Sequence, residues 1–517
     1  MHYFCLCEFK VLVMNKFIRS SKSVINILAC VMLLMACQKD IEIAEVARYS
    51  LFISTTDGGT VSTEGGLFEE GTLIKIEAIP DRGYKFSGWD GIENLESTIE
   101  LVVRGSLTIK ANFELNVEEF SSNVPYIVKD LVDTSGYILA IENGKQTCYL
   151  IDHTGQKLRT WNFDLPLGQD IELAHDGSLY GLFQVPDPNE DITFGGKSGL
   201  VRKIDKMNNV VWEFRISSQD EITHHDLELM PNGNVLVLVW QRKKKEDLAD
   251  LGYITDRDIF MEKIVEINPE SNQIVWKWES WDHIIQDKNP AHPTYGDPKT
   301  SRNKIDLFYN YQSDYHRFIS IGDIMHANGI AYSEEHDVIA ISVNFYNEVW
   351  FIDHSTSTHE AKLSEGGNFN LGGDLLYRFG NPGTYSDPTP KIFDFNHHPS
   401  FVRSSNEYHL LIFNNNAGAK RSKVMEFELP VFSNTLLNES PNPRKVFEYS
   451  NDELYFDIIG GAVRLPNGNT LICEGDYGFW EVNDQGQLLW KYNGNGATFW
   501  RGLFYSKQSD AIKSLGL

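Results

Sequence analysis

His224-His225-Asp226-Leu227-Glu228-Leu229-Met230-Pro231-Asn232-Gly233-Asn234-Val235-Leu236-Val237-Leu238 reads as a β-hairpin. Alternating apolar residues lead into Pro231-Asn232-Gly233, whose last two residues tolerate the positive φ of tight turns, and a β-rich run leads out. Leu465-Pro466-Asn467-Gly468-Asn469-Thr470-Leu471-Ile472 is nearly a copy, and Ala174-His175-Asp176-Gly177-Ser178-Leu179 is a third version. Looser relatives turn at Glu334-Glu335-His336-Asp337 and at Ser405-Asn406-Glu407, and Tyr137-Ile138-Leu139-Ala140-Ile141-Glu142-Asn143-Gly144 completes six units. Most are followed by two further strands ending in an aromatic residue, as in Ile204-Asp205 to Val211-Trp212, Val265-Glu266-Ile267 to Val275-Trp276 and Glu481-Val482 to Leu489-Trp490. Four strands repeated six times predict an all-β chain, a six-bladed β-propeller over residues 136–517. Insertions, notably residues 281–322, make the spacing uneven. A stacked sandwich is the competing arrangement, and no 3.6-residue period supports a helical solenoid.

Composition narrows the partners. The 517 residues are 42% hydrophobic and carry a formal net charge of −26. That balance argues against nucleic acid or anionic lipid surfaces. An anionic small substrate would need a locally basic or histidine-lined pocket.

The N-terminus is predicted to be a targeting segment spanning residues 1–37. From Met14, read as the true start, Lys16, Arg19 and Lys22 form a basic region, and Val24 to Met35 an apolar run too short for a permanent span. It ends in Leu34-Met35-Ala36-Cys37, which resembles a bacterial lipobox with Cys37 as the lipidated residue. The expected protein is an exported lipoprotein of the outer membrane, on its periplasmic or surface face. After Cys37 only Cys148 and Cys473 remain, both in strand-like runs, and they are expected to be buried free thiols.

Residues 48–115 form a separate small β module with Gly-rich turns, and residues 116–135 a linker. Gly59-Thr60-Val61, Gly71-Thr72, Gly83-Tyr84-Lys85-Phe86, Gly88-Trp89 and Ala111-Asn112-Phe113 resemble a divergent repeat of bacterial surface proteins. That resemblance implies a spacer or adhesion unit.

In a propeller, residues at one offset before equivalent turns meet at one mouth of the central channel. His225 lies eight residues before Gly233, His326 nine before Glu335, and His398 eight before Asn406, with His224 and His397 adjacent. Gly460-Gly461 holds the corresponding place in the last unit and leaves room for a ligand. Such imidazoles ligate a metal, or else one acts as a nucleophile while the others stabilise charge on transferring oxygens.

From about residue 136 to 517 the chain resembles the bacterial arylsulfate sulfotransferase family, in its sulfotransferase-like branch. The resemblance is carried by His224-His225-Asp226 with Leu229-Met230-Pro231-Asn232-Gly233-Asn234, by Asp323-Ile324-Met325-His326-Ala327-Asn328, and by Gly372-Gly373-Asp374-Leu375-Leu376-Tyr377-Arg378-Phe379-Gly380-Asn381-Pro382. Leu465 to Gly475 and the tail Phe499-Trp500-Arg501 extend it. It implies transfer of a sulfuryl group from an aryl sulfate to a phenol through a sulfo-histidine, with no nucleotide sulfate donor and no cofactor. Carried over, His398 is the nucleophile, and His326 and Asn328 bind sulfuryl oxygens or act as acid and base. His225 or His224 completes the pocket. Two departures stand out. Asn344 occupies the place of a family arginine, removing a donor whose loss costs roughly 3–4 kcal/mol of transition-state stabilisation. The nucleophile lies in His397-His398-Pro399, so His397 competes with His398 for the role. The alternative function is a non-catalytic surface propeller binding a glycan or aromatic ligand.

Arg378 and Arg501 are candidates for replacing the missing charge, against the plainer reading of blade-surface arginines. Trp281-Asp282-His283 opens the long insertion, either lidding the pocket or packing onto the propeller.

Overall fold

The computed structural model describes residues 47–56, 59–80, 84–115, 126–127, 130–186, 192–311, 313, 315–404, 407–432 and 442–517. The targeting segment with Cys37, much of the linker, and the turn at Ser405-Asn406 lie outside the described residues. The chain divides into two compact units, Met1–Leu115 and Asn116–Leu517.

In the first unit a four-stranded sheet is ordered Gly65–Glu69, Arg48–Thr55, Leu107–Leu115, Tyr84–Asp90, and a three-stranded one Gly59–Val61, Leu73–Pro80, Thr98–Val102. Leu51, Ile53, Ile76, Trp89, Ile109 and Phe113 form its core. The alternation seen at Thr72 to Ala78 therefore gives one apolar and one solvated face.

The second unit is all-β and propeller-like. Five of its sheets are antiparallel meanders read in chain order. They are Leu167–Leu173 through Val210–Arg215, Glu221–Leu229 through Gln273–Glu279, Ala327–Ser333 through Tyr377–Phe379, Asn396–Ser404 through Arg444–Ser450, and Gly460–Arg464 through Leu488–Asn493. The remaining four-stranded sheet joins the two ends of the unit. Gly136–Glu142, Thr147–Ile151 and Lys157–Asn162 take their innermost strand from Phe499–Ser506. Tyr137 to Glu142, read from the sequence as the opening of the first unit, is therefore second in its sheet. Tyr126–Ile127, in the predicted linker, adds an edge strand beside Leu488–Asn493. The innermost strands touch in sequence, and Phe499–Ser506 contacts both Gly460–Arg464 and Leu167–Leu173, closing a ring.

Each sheet is covered on both faces by its neighbours, so its inner strands read as continuous apolar runs. Val235, Val237 and Val239 pack with Tyr180, Leu182 and Val201 of the preceding sheet. Leu236 and Leu238 point the other way, into a cluster with Ile339, Ile341 and Trp350 of the following one. The two-residue period thus decides which neighbour each side chain serves. At the turn only Gly233 (φ 84°) adopts the left-handed region, and Asn232 accepts the Asn234 amide instead (2.9 Å). The near-copy behaves alike, with Gly468 at 91° and Asn467 accepting from Asn469 (2.9 Å). Asn234 and Asn469 then reach buried carboxylates on the third strands, Glu266 and Glu481 (2.5 and 2.7 Å). The Asn-Gly-Asn signature is therefore a sheet-locking device as well as a turn.

Glu266 also meets His354 Nε2 (3.2 Å), whose Nδ1 bonds Asp337 (2.6 Å). Burial draws the His354 pKa down, but hydrogen bonds to Asp337 and Glu266 outweigh it and raise it to about 9. A raised folded-state pKa stabilises fully below the unfolded value, about 6.5, and the contribution is lost as pH rises through 9. Urea midpoints are expected to fall between pH 6.5 and 9 in the native protein, and less steeply in His354→Gln.

Arg378 does not approach the channel. It is buried against Glu348, donating from Nε (3.1 Å) and Nη2, with Thr384 and the Lys304 carbonyl as further partners (3.0 and 2.8 Å). The start of the long insertion likewise packs away from the channel. His283 bonds Asp374 (2.7 Å) and the Ala361 carbonyl (2.8 Å) and stacks on Trp278. Cys148 and Cys473 are buried free thiols, their pKa pushed up by burial.

Candidate active site

Two cavities lie among the inner strands, and they differ in the side chains that line them. The larger, about 680 Å³, is lined by Asp170, Glu172, Asp226 and Glu228 together with His398. Burial, compounded by mutual repulsion, pushes the carboxyl pKa values of Asp170, Glu172 and Glu228 well up. The smaller, about 370 Å³, gathers His225, His326, His397 and Asn344 with Lys197 and Arg317 at its margin. Its apolar wall includes Phe345, Phe395 and Trp500.

The histidines reach this cavity because the inner strands begin irregularly. His225 (φ 54°) sits in a β-bulge between His224 and Leu227, and His326 (φ 55°) immediately precedes Ala327–Ser333. Left-handed non-glycine residues are uncommon and gather where a side chain must be re-aimed. In the next sheet the left-handed residue directly before the strand is Phe395 (φ 60°), not a histidine. Asn396–Ser404 has nine residues where Ala327–Ser333 has seven, so counting back from the turn lands on His398, deeper in the strand. His398 (φ 51°) occupies the next bulge and faces the acidic cavity. Its Nδ1 accepts the Ala462 amide (3.2 Å), so the neutral ring presents an N–H from Nε2 and no free lone pair. The structure therefore does not bring His398 together with His225 and His326; it brings His397.

His397 is held with defined polarity. The Asn415 amide nitrogen donates to the Phe456 and Ile459 carbonyls (2.7 and 3.0 Å), which turns its oxygen to His397 Nδ1 (2.6 Å). That nitrogen must then be the donor, and the lone pair sits on Nε2. Burial first, then the nearby Arg501 charge, lower the His397 pKa to about 3, so the ring is neutral at ordinary pH. His326 gives Nδ1–H to the buried Asp323 carboxylate and stacks on Phe345 (4.7 Å, 14°), leaving Nε2 for the cavity. His225 lies 4.6 Å from His326, centroid to centroid, and 5.8 Å from Trp500.

His224 does not line the cavity. It is fully buried, stacked on Trp240 (3.9 Å), and hydrogen-bonded to Glu262 through Nε2 (3.0 Å) and to His225 through Nδ1 (2.9 Å). Asn328 is also behind the wall. Asn328, Ser342 and Asn344 all donate to the Asn396 carbonyl (3.0, 2.9 and 3.3 Å), fixing the backbone one residue before His397. Arg501, buried on the closing strand, donates to the Gly460 and Asn328 carbonyls (3.0 and 3.2 Å) and approaches Asp226 (3.4 Å). It adds positive charge near His397 without lining either cavity.

Asp323, Glu262 and Asn415, and the cations Lys197 and Arg317, are the members to which the sequence assigned no role. Asp323 had a local signal, lying three residues before His326; the others are joined to the site only by folding. Arg317, with His316 and Phe318, comes from the far end of the long insertion, so that segment does wall the pocket, but not through Trp281 to His283. Among the described residues no group of three or more His, Cys, Asp or Glu side chains is arranged to hold a metal ion.

Gly196 (φ 93°) makes room for His225: a Cβ there would lie 2.1 Å from Cε1 and 2.2 Å from Nε2 of the ring. Gly196→Ala is expected to displace that imidazole and lower turnover by about tenfold or more, with the circular dichroism spectrum unchanged.

A family model described as Arylsulfotransferase (ASST) matches residues 126–489, and one described as a Divergent InlB B-repeat domain matches residues 49–117. No curated protein matches the chain. Among solved structures, the periplasmic gluconolactonase of Pseudomonas aeruginosa is 10% identical, with a TM-score of 0.37 over 72% of this chain and 99% of that one. AztD from Citrobacter koseri is 10% identical, with a TM-score of 0.29 over 71% of this chain and 83% of that one.

Proposed function

The chain belongs to the arylsulfotransferase family, and we propose that it moves a sulfuryl group from an aryl sulfate to a phenolic acceptor through a sulfo-histidine on His397. The observation that carries this reading is the polarity of His397, whose Nδ1–H is fixed by Asn415, which leaves the lone pair on Nε2 of a ring that lines the cavity. In the first half-reaction Nε2 attacks sulfur, the N–S bond forms, and the S–O bond to the aryl group breaks with its electron pair leaving on the phenolate. In the second, a phenol oxygen attacks the same sulfur and the N–S bond breaks. Negative charge spreads over the sulfuryl oxygens in both steps, and oriented donors favour the transition state. Asp323 holds the His326 ring with Nε2 turned from it; Asn344 offers its second amide N–H, and Lys197 and Arg317 supply charge at the mouth. Phe345, Phe395 and Trp500 provide the aromatic wall for a phenolic ring.

The ring of four-stranded sheets is read as a six-bladed propeller with this site at one mouth. The lipobox ending in Cys37 supports export as a lipid-anchored protein, with the residue 48–115 module as spacer. Incubation with 4-nitrophenyl sulfate and phenol tests the activity: nitrophenolate release should match phenyl sulfate formed. Release that is absent, with the ligand still bound, would favour the non-catalytic alternative.

A further inference from the structure

We infer that Glu262 and His224 form a buried proton relay that lets His225 serve alternately as acid and base toward the phenol oxygens. The inference rests on the sulfuryl-transfer reading above. The geometry is a chain of hydrogen bonds ending at the cavity. Glu262 Oε2 meets His224 Nε2 (3.0 Å), His224 Nδ1 meets His225 Nδ1 (2.9 Å), and His225, whose Nε2 is the ring nitrogen outside this chain of bonds, lines the cavity beside Gly196. The other Glu262 oxygen accepts the Ala327 amide (2.8 Å), so Oε2 alone is free to exchange a proton. Glu262 and His224 are essentially unexposed, and Trp240 closes one face of His224.

Each imidazole carries one proton, and its two nitrogens therefore have opposite roles. This leaves two consistent states. When Glu262 is protonated, it donates to His224 Nε2, His224 donates from Nδ1 to His225, and His225 presents Nε2–H to the cavity. When Glu262 is a carboxylate, every bond reverses and His225 Nε2 presents a lone pair. Burial favours the first state at rest: it pushes the Glu262 carboxyl pKa well up and those of His224 and His225 well down. The other titratable and charged groups facing the relay are Asp226, Asp323, His326, His397 and Arg501. Asp226 lies against Arg501 and Asp323 is bonded to His326, so neither aspartate is a member of the chain.

The two states match the two half-reactions. As the S–O bond of the donor breaks, His225 Nε2–H passes to the leaving phenolate. His225 Nδ1 takes the proton from His224 Nδ1, and His224 Nε2 takes the proton from Glu262, which becomes a carboxylate. The acceptor phenol then returns its proton to His225 Nε2 as its oxygen attacks sulfur, the protons shift back, and Glu262 is again neutral. No proton is gained or lost over the cycle, and none crosses to solvent. Glu262 and His224 are positioning and relay residues; His225 is the group that touches the reacting oxygen.

Glu262→Gln distinguishes this from a structural role. The amide oxygen keeps the Ala327 bond and the amide nitrogen donates to His224, which locks His225 in its donating state. With 4-nitrophenyl sulfate, whose leaving group needs no proton, the initial burst of nitrophenolate should stay within about threefold of the native protein. Transfer to unsubstituted phenol should fall by about 100-fold or more, and should recover with an acidic phenol already ionised at the assay pH. Equal loss of burst and transfer, or unchanged transfer to phenol, would overturn the relay. If the variant does not fold, the native protein decides. Transfer from preformed sulfo-enzyme to phenol should depend on the deuterium fraction of the solvent along a curve, since several protons move together. A straight line would overturn the proposal. Absence of any burst in the native protein would instead defeat the sulfuryl-transfer reading itself.

Discussion

His397→Asn is expected to abolish sulfuryl transfer, lowering turnover by at least about 10⁴-fold, while His398→Ala keeps most of it. Asparagine preserves a polar side chain of similar reach, but it has no nucleophilic lone pair in place of Nε2. Both half-reactions fail, so the nitrophenolate burst disappears along with steady-state turnover. His398 lines the other cavity, beside four carboxyl groups, and its Nδ1 is occupied by the Ala462 amide, so its removal leaves the chemistry intact. The pH profile gives a second readout. A depressed His397 pKa, about 3, means that the neutral nucleophile is fully present above that pH and is lost only as pH falls through it. Any acid limb seen well above that pH in the native burst then belongs to another group.

Asp323→Asn is expected to lower kcat by about 10³-fold with a smaller change in KM. The Asp323 carboxylate is fully buried and receives Nδ1–H from His326. An asparagine there can present its amide nitrogen to the ring, and the imidazole then places its proton on Nε2 in a neutral form. The variant loses the tautomer and orientation that Asp323 imposes on His326, and with them the stabilisation of charge building on the sulfuryl oxygens. That stabilisation belongs to the transition state, so the loss falls on kcat. Measuring kcat and KM separately with one aryl sulfate checks it; a change confined to KM would place His326 in ground-state binding only.

Much of the fold was legible because its signals are local. A glycine turn between apolar runs marks four of the six hairpins, and Asn232-Gly233-Asn234 and Asn467-Gly468-Asn469 repeat because both asparagines of each set have hydrogen-bonding work in the sheet. The closure by Phe499–Ser506 was not legible, since its pairing with Gly136–Glu142 spans most of the unit and leaves no mark in either segment. The site divides in the same way. His225 and His326 were found by counting from the turns. The same count chose His398 over His397 because a longer strand and a two-residue bulge at His398-Pro399 change which side chain faces which cavity. Asn415, which fixes the His397 tautomer, lies on a different segment, and Lys197 and Arg317 come from loops of neighbouring sheets. Asn344 illustrates the limit of reading one position: its amide sits in a cavity whose cations are supplied by other segments.

The most direct measurement is to incubate the protein with an aryl sulfate in the absence of acceptor, quench at alkaline pH, and map the sulfuryl group by peptide mass spectrometry. A single sulfuryl group on His397, discharged on adding phenol, is the predicted result. A sulfuryl group on His398, on His326 or on no histidine would contradict it.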